Sequence, residues 1–270
     1  MYLPDHHGSI GVFDSGIGGL SVANAVCGLL PHESLLYLAD NAHAPYGART
    51  DAEVLDYSRR ITDFLLAAGV KLIVVACNTA TSVAIDRLRT DYPEVPFVGL
   101  EPAVKPAGRG RRVGVLATAV TLRSARYRVL KARYLADRPV WESSCVGLVP
   151  LIENYGTGSA EVSAYLRELL AGQSPDTLVL GCTHYPLILD DIRAVVGSDV
   201  HLIDPSGAAA RQVGRVLAER GLLAPSQATQ PTVVDLVTTC GPAPLQRTLA
   251  QLPALNGRRR WVLPYLALNA

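Results

Sequence analysis

Short aliphatic runs alternate with amphipathic stretches along this 270-residue chain, and that alternation constrains the fold more than any other feature. Runs of four to six mostly aliphatic residues are too short for buried helices and suit strands covered on both faces. The helical-period segments between them supply the crossovers that parallel strands need. The reading is α/β with mainly parallel sheets. Strands are expected at 9–14, 35–39, 71–76 and 96–100, with helices at 19–30, 51–68 and 79–90. The pattern then restarts, with strands at 112–117, 140–145, 177–180 and 200–203 and helices at 121–135, 159–170 and 186–196. Ser206 can cap a helix reaching 220, and a strand at 232–237 and a helix near 244–252 follow.

The restart is a repetition. Ile10-Gly11-Val12-Phe13-Asp14-Ser15 resembles Val113-Gly114-Val115-Leu116-Ala117-Thr118. Cys77 lies 66 positions beyond Gly11, and Cys182 lies 68 beyond Gly114. An internal duplication gives two similar α/β domains. The second set of strands is complete near Asp204, so the final segment is expected to return to the first domain. That gives residues 1–100 plus 208–270 for one domain and 101–207 for the other. Open α/β sheets bind ligands beyond the carboxyl ends of their strands, so facing ends place the site in the cleft between domains.

Both copies end their key strand in the same way. Leu72-Ile73-Val74-Val75 runs into Ala76-Cys77-Asn78-Thr79-Ala80, and Thr177-Leu178-Val179-Leu180 runs into Gly181-Cys182-Thr183-His184-Tyr185-Pro186. Each cysteine is expected at an exposed strand-to-helix junction, where free backbone N–H groups favour a thiolate. One cysteine in such a place is ordinarily a small buried hydrophobe. Two in matching contexts point to paired acid–base groups: one thiolate removes a proton from carbon, and the opposite thiol returns one to the other face. That chemistry calls for neither a metal nor an organic cofactor. Cys27, Cys145 and Cys240 have no such partner and read as structural.

Bulk properties exclude several other classes. The formal charge is +1, and the basic clusters at 109–112 and 258–260 are short, reading as solvated turns beside strands and not as a nucleic-acid surface. No apolar stretch is long enough for a bilayer, and Met1–His7 carries no leader pattern, so a cytoplasmic protein is expected. The five cysteines include no CxxC pair, which argues against both a disulfide framework and a zinc site. Among the three lysines, only Lys105 stays open as a Schiff-base candidate.

The neighbours of the cysteines suit a small acidic substrate. Asn78 and Thr79, and Thr183 and His184, can hold carboxylates at the two junctions. Asp14 and Ser15 end the first strand on the same side. Asp14 can relay a proton or bind an ammonium, although a simple turn is the alternative. His184 can assist Cys182 or merely pack, and Glu153 is a third acid whose ordinary reading is an exposed helix start. Gly16-Ile17-Gly18-Gly19-Leu20-Ser21 narrowly misses the dinucleotide fingerprint and serves equally as a compact anion-binding turn. Ala44-Pro45-Tyr46-Gly47 is a loop on the cleft side.

Together, Gly11 through Leu20, Pro45-Tyr46-Gly47, Ala76 through Ala80 and Gly181 through Pro186 resemble the motifs of the glutamate racemases, cofactor-independent enzymes that supply D-glutamate for bacterial peptidoglycan. The resemblance covers nearly the whole chain. It implies two α/β domains related by a pseudo-twofold axis. It implies that Cys77 deprotonates D-glutamate and Cys182 L-glutamate, with Asp14, Glu153 and His184 as auxiliary acid–base groups. Asp14, Ser15, Tyr46, Gly47, Asn78, Thr79, Thr183 and His184 match substrate-binding positions, and Thr118 and Thr121 fall where the family has further hydroxyl contacts. A homodimer is compatible with it. Residues 40–44 and the tail beyond Cys240 depart from the family pattern. Two other readings stay open at this point: a racemase of aspartate or another acidic amino acid, and a two-lobed binding protein that holds an amino acid without turning it over.

Overall fold

The computed structural model describes residues 6–225, 232–255 and 258–261. Met1–Asp5 of the N-terminal reading, and residues 226–231, 256–257 and 262–270 of the 208–270 assignment, lie outside them. The chain opens with β1 (Ile10–Asp14), α1 (Leu20–Leu29), β2 (Leu35–Ala39), α2 (Asp51–Ala67), β3 (Leu72–Val75), α3 (Asn78–Asp91) and β4 (Phe97–Gly99). It continues through α4 (Val104–Ala107), β5 (Val113–Ala117), α5 (Ala119–Arg123), α6 (Ala125–Tyr134), β6 (Val140–Ser143), α7 (Leu148–Tyr155), α8 (Ala160–Leu170), β7 (Thr177–Gly181), α9 (Leu189–Val196) and β8 (His201–Ile203). The last elements are α10 (Ser206–Glu219), β9 (Val234–Thr238), α11 (Ala243–Leu249) and β10 (Arg259–Trp261).

The strands form two sheets, ordered β10-β9-β2-β1-β3-β4 and β6-β5-β7-β8, and every pairing between described strands is parallel. The order β2-β1-β3-β4 is repeated as β6-β5-β7-β8. Register repeats as well: Gly11 stands opposite Ile73, and Gly114 opposite Leu178. Cys77 follows Ile73 by four residues and Cys182 follows Leu178 by four, so both reach the same height above their sheets. β9 pairs with β2, and α10 packs on α1 and β4, so the closing segment completes the first sheet.

Period-two alternation distributes the strand side chains between helical layers. Ile10, Val12, Tyr37 and Val74 face a core shared with α1, α10 and α11. Phe13, Leu36, Leu38 and Val75 face α2 and α3. In the second sheet, Val113, Val115 and Val179 face α4 and α6, while Leu116, Leu178 and Leu180 face α7, α8 and α9. Both faces of each sheet are therefore covered, which explains the unbroken aliphatic runs. Among the described residues no helix is long and apolar enough to cross a membrane.

Local chemistry changes several expected boundaries. The single helix expected at 121–135 is two. Ser124 ends α5 in an extended conformation (ψ 145°), and its hydroxyl accepts the N–H of Tyr127 at 3.1 Å to start α6. The helix expected from Pro186 begins with a 3-10 turn, Tyr185–Ile188, before α9. Ser206 does not cap α10. It occupies the first helical position, its N–H is taken by Asp204 Oδ1 at 2.8 Å, and its hydroxyl donates to Ser21 Oγ at 3.3 Å. The segment 258–260 is not a solvated turn. It enters β10, and the Arg258 guanidinium donates to the Pro31 carbonyl at 3.1 Å. The short helices α4 and α7 carry no long periodic pattern; Glu153 lies half-buried in the last turn of α7 and not exposed at a helix start. Ser124→Ala is expected to destabilise the fold by about 1 kcal/mol, read from urea denaturation. An unchanged midpoint would remove the capping account.

Candidate active site

Parallel strands deliver their carboxyl ends to one edge of a sheet, and here the two edges meet. From the first sheet come Asp14 at the end of β1, Ser15 after it, Asp40 after β2 and Cys77 after β3; from the second come Thr118 after β5 and Cys182 after β7. The contacts across the junction are direct. Thr183 donates its hydroxyl to Asp14 Oδ1 at 3.2 Å. The Ile17 N–H donates to Glu153 Oε1 at 3.0 Å. Ser21 donates its hydroxyl to the Thr183 carbonyl at 3.2 Å. The hydroxyls of Thr79 and Thr118 lie 2.9 Å apart across it, and on the second sheet's side Thr118 and Thr121 lie 3.0 Å apart.

The two thiols have different surroundings. Cys77 caps α3, accepting the Ala80 N–H at 3.4 Å, and its sulfur is 3.8 Å from the Ser15 hydroxyl. Burial pushes this thiol far up from its ordinary value, and the charge of Asp14 adds to the rise against the Ala80 N–H. Asp14 is itself fully buried. Burial raises its carboxyl against the opposing charge of His184 and the N–H groups of Gly16 and Gly19. Cys182 has His184 instead, with Nδ1 at 3.8 Å from its sulfur. The Nε2–H of His184 donates to Glu153 Oε1 at 2.7 Å. Burial disfavours an imidazolium there, but hydrogen bonds and charge from Cys182 and Glu153 outweigh it and hold His184 well above its ordinary value. Burial likewise opposes a Glu153 carboxylate. His184, the Ile17 N–H and the Arg247 charge nevertheless keep it below the usual range.

All the residues expected at the site converge on this junction. One feature differs from expectation: the cysteines are buried, each 5 % exposed, and so are Asp14, Ser15, Tyr46, Asn78, Thr79, Thr121, Thr183 and His184. Contact between the two strand-end surfaces covers what a single sheet would leave open. Asn78 donates to the Leu100 carbonyl at 3.1 Å, while its Oδ1 is buried without a hydrogen-bond partner. Tyr46 directs its hydroxyl to Asp40 Oδ2 at 2.6 Å, and a Cβ added at Gly47 would stand 3.3 Å from Thr118 Cβ. Lys105 is exposed on α4, outside the site.

The glycine-rich loop is explained by close packing and not by phosphate binding. A Cβ on Gly16 would collide with Glu153 Oε1, and one on Gly18 would come within 2.5 Å of His184 Nδ1. The space in front of these glycines is filled by the second sheet's side chains. Sequence reasoning missed Asn41, Tyr37, Arg247, Thr238 and Thr239. Tyr37 donates to the Gly16 carbonyl at 2.7 Å, and Arg247 donates to the Glu153 carbonyl at 3.0 Å. Asp40 directly follows the second strand. A signal existed for it, because it follows its strand as Asp14 ends its own. None existed for Arg247, whose approach depends on tertiary packing.

Comparison with known proteins agrees with this geometry. The family model described as Asp/Glu/Hydantoin racemase matches residues 21–213. A glutamate racemase of Pseudomonas paraeruginosa is 49% identical over 228 residues, covering 82% of this chain and 86% of that one. Among solved structures, glutamate racemase of Francisella tularensis in complex with D-glutamate superposes with a TM-score of 0.80 at 29% identity, covering 98% of this chain and 99% of that one. The Escherichia coli glutamate racemase in complex with L-glutamate and an activator gives 0.80 at 30% identity, covering 97% and 100%. With its repeated parallel sheets and a buried cysteine closing the matching strand of each, this chain belongs to the Asp/Glu/Hydantoin racemase family.

Proposed function

We propose that this protein interconverts L- and D-glutamate by two-thiol proton exchange at the α-carbon, without a cofactor. The observation that carries the reading is the pair Cys77 and Cys182, brought to equivalent heights on facing strand ends and each given its own polar assistants. Cys77 removes the α-proton of D-glutamate while Cys182 donates to the opposite face, and the roles exchange for L-glutamate. On the Cys182 side, His184 stands beside the sulfur and is held by Glu153. On the Cys77 side, burial and then the charge of Asp14 oppose a thiolate. A substrate ammonium beside Asp14 offsets that charge and brings the thiol toward a useful pKa.

Backbone N–H groups and the hydroxyls of Ser15, Thr79, Thr118, Thr121 and Thr183 hold the carboxylates, with Tyr46, Gly47 and Asn78 completing the pocket. The buried Asn78 Oδ1 is an acceptor for an N–H of the substrate. Residues 1–100 with 208–270, and residues 101–207, act as two lobes that part to admit substrate and close to exclude water, strengthening these contacts. D-Glutamate so made feeds peptidoglycan synthesis in the cytoplasm, and assembly as a homodimer, part of the same reading, is checked by light scattering.

The test is incubation with L-glutamate in heavy water without added cofactor, following optical rotation and deuterium at the α-carbon together. Loss of rotation with α-deuteration is expected. Binding without exchange would favour a two-lobed binding protein, and faster turnover of aspartate in a parallel assay would reassign the substrate. Cys77→Ser and Cys182→Ser are each expected to lower kcat/KM by about 10²–10⁴-fold. Enantiomers have equal free energy in water, so the loss must be the same in both directions for each variant. Gly16→Ala, which sets a methyl against Glu153 and His184, is expected to cost at least about tenfold in kcat/KM; wild-type kinetics would remove the close-packing account of that loop.

A further inference from the structure

Glu153 is held at both oxygens. Oε1 accepts from the Ile17 N–H and from His184 Nε2. Oε2 accepts from the side-chain amide of Asn41, with Nδ2 at 3.3 Å. Asn41 is fixed in turn. Its Oδ1 accepts the Thr238 hydroxyl at 3.1 Å, which orients the amide so that its NH₂ faces Glu153. The residue before it is anchored to the same strand end: the buried Asp40 carboxylate accepts the Thr239 hydroxyl at 2.8 Å, and the Ala42 N–H donates to Thr239 Oγ1 at 3.0 Å. The carboxyl end of β9, which neither of the paired-cysteine phrases reaches, thus braces β2 against α7.

From this geometry we infer that Asn41, oriented by Thr238, is a positioning residue for the Glu153–His184 pair and through it for Cys182. The inference rests on the racemase reading for its kinetic consequence and on the hydrogen bonds alone for its structural one. A carboxylate with one oxygen doubly bonded and the other free can rotate about its terminal torsion. The amide donor removes that freedom and stabilises the ionised form. A Glu153 locked as a carboxylate keeps His184 oriented and charged opposite Cys182. The other charged and titratable groups facing Glu153 are Asp14 from β1, Tyr37 from β2 and Arg247 from α11.

Removing a donor to a carboxylate raises the pH at which it takes up a proton. Asn41→Ala is therefore expected to move the acidic limb of the kcat/KM profile upward by about one pH unit, and to lower kcat/KM about ten- to a hundredfold. Asn41→Asp sets a second carboxylate against Glu153 and is expected to move that limb further in the same direction. Thr238→Val is expected to give a smaller shift of the same sign, and Thr238→Ser, which keeps the hydroxyl, a wild-type profile. Circular dichroism checks folding; if the Asn41 variants do not fold, the Thr238 pair carries the test. NMR titration of the His184 ring gives a readout independent of turnover, and its pKa is expected to fall in Asn41→Ala. An unmoved acidic limb and an unmoved His184 titration in folded variants would overturn the inference. Absence of α-proton exchange in the wild-type protein, with the His184 shift present, would instead overturn the racemase reading and leave the positioning contact standing.

Discussion

The Glu153 carboxylate is where the two sheets lock together. One of its oxygens takes the Ile17 N–H from the loop after β1 and the Nε2–H of His184 from the loop after β7. Even a partly buried carboxylate is costly unless its lone pairs are filled and a positive partner stands close. Here the partner is an imidazole that is itself buried and whose protonated form is favoured by Cys182 and by this contact. Removing either group strands the other. The glycines at 16 and 18 follow from this, because no side chain fits between the first loop and the pair. The seating of the sheets and the electrostatics of one thiol thus share a single interaction.

Duplication gives the site its symmetry, and divergence gives its chemistry. Strand order, register and the placement of a cysteine repeat between the sheets. The surroundings do not. Cys77 caps an α-helix beside an acid, whereas Cys182 stands three residues ahead of a 3-10 turn, beside the imidazole of His184. Two bases in a racemase must be in opposite protonation states when substrate arrives. In the proposed reaction the two sulfurs exchange roles, and their unequal surroundings distinguish them. Burial sharpens every one of these effects, because the same charges in water would be screened.

The extent to which the site was legible follows from what kind of signal each residue leaves. Cys77, Cys182 and their polar neighbours stand directly after aliphatic runs, and strand ends are places that a one-dimensional pattern can locate. Glu153 was noticed but not distinguishable from an exposed helix-start acid, since α7 is too short to show a period. The break at Ser124 was hidden because serine is tolerated within helices as well as at their starts. Asn41, Thr238 and Arg247 left no trace, because their partners lie 94 to 197 positions away.

Amino-acid order alone determined the α/β class, the repeat, the two sulfur positions and the edge of the sheets to which the strands deliver them. Each depends on periodicity or on immediate neighbours, and local sterics and burial impose those directly. Only the tertiary structure decided that β9 lies beside β2, that the strand ends close over the thiols, and that a histidine and a glutamate share a proton-bearing contact. Those outcomes depend on which edges pair and on how closely two surfaces approach, and such long-range distances have no counterpart in sequence spacing.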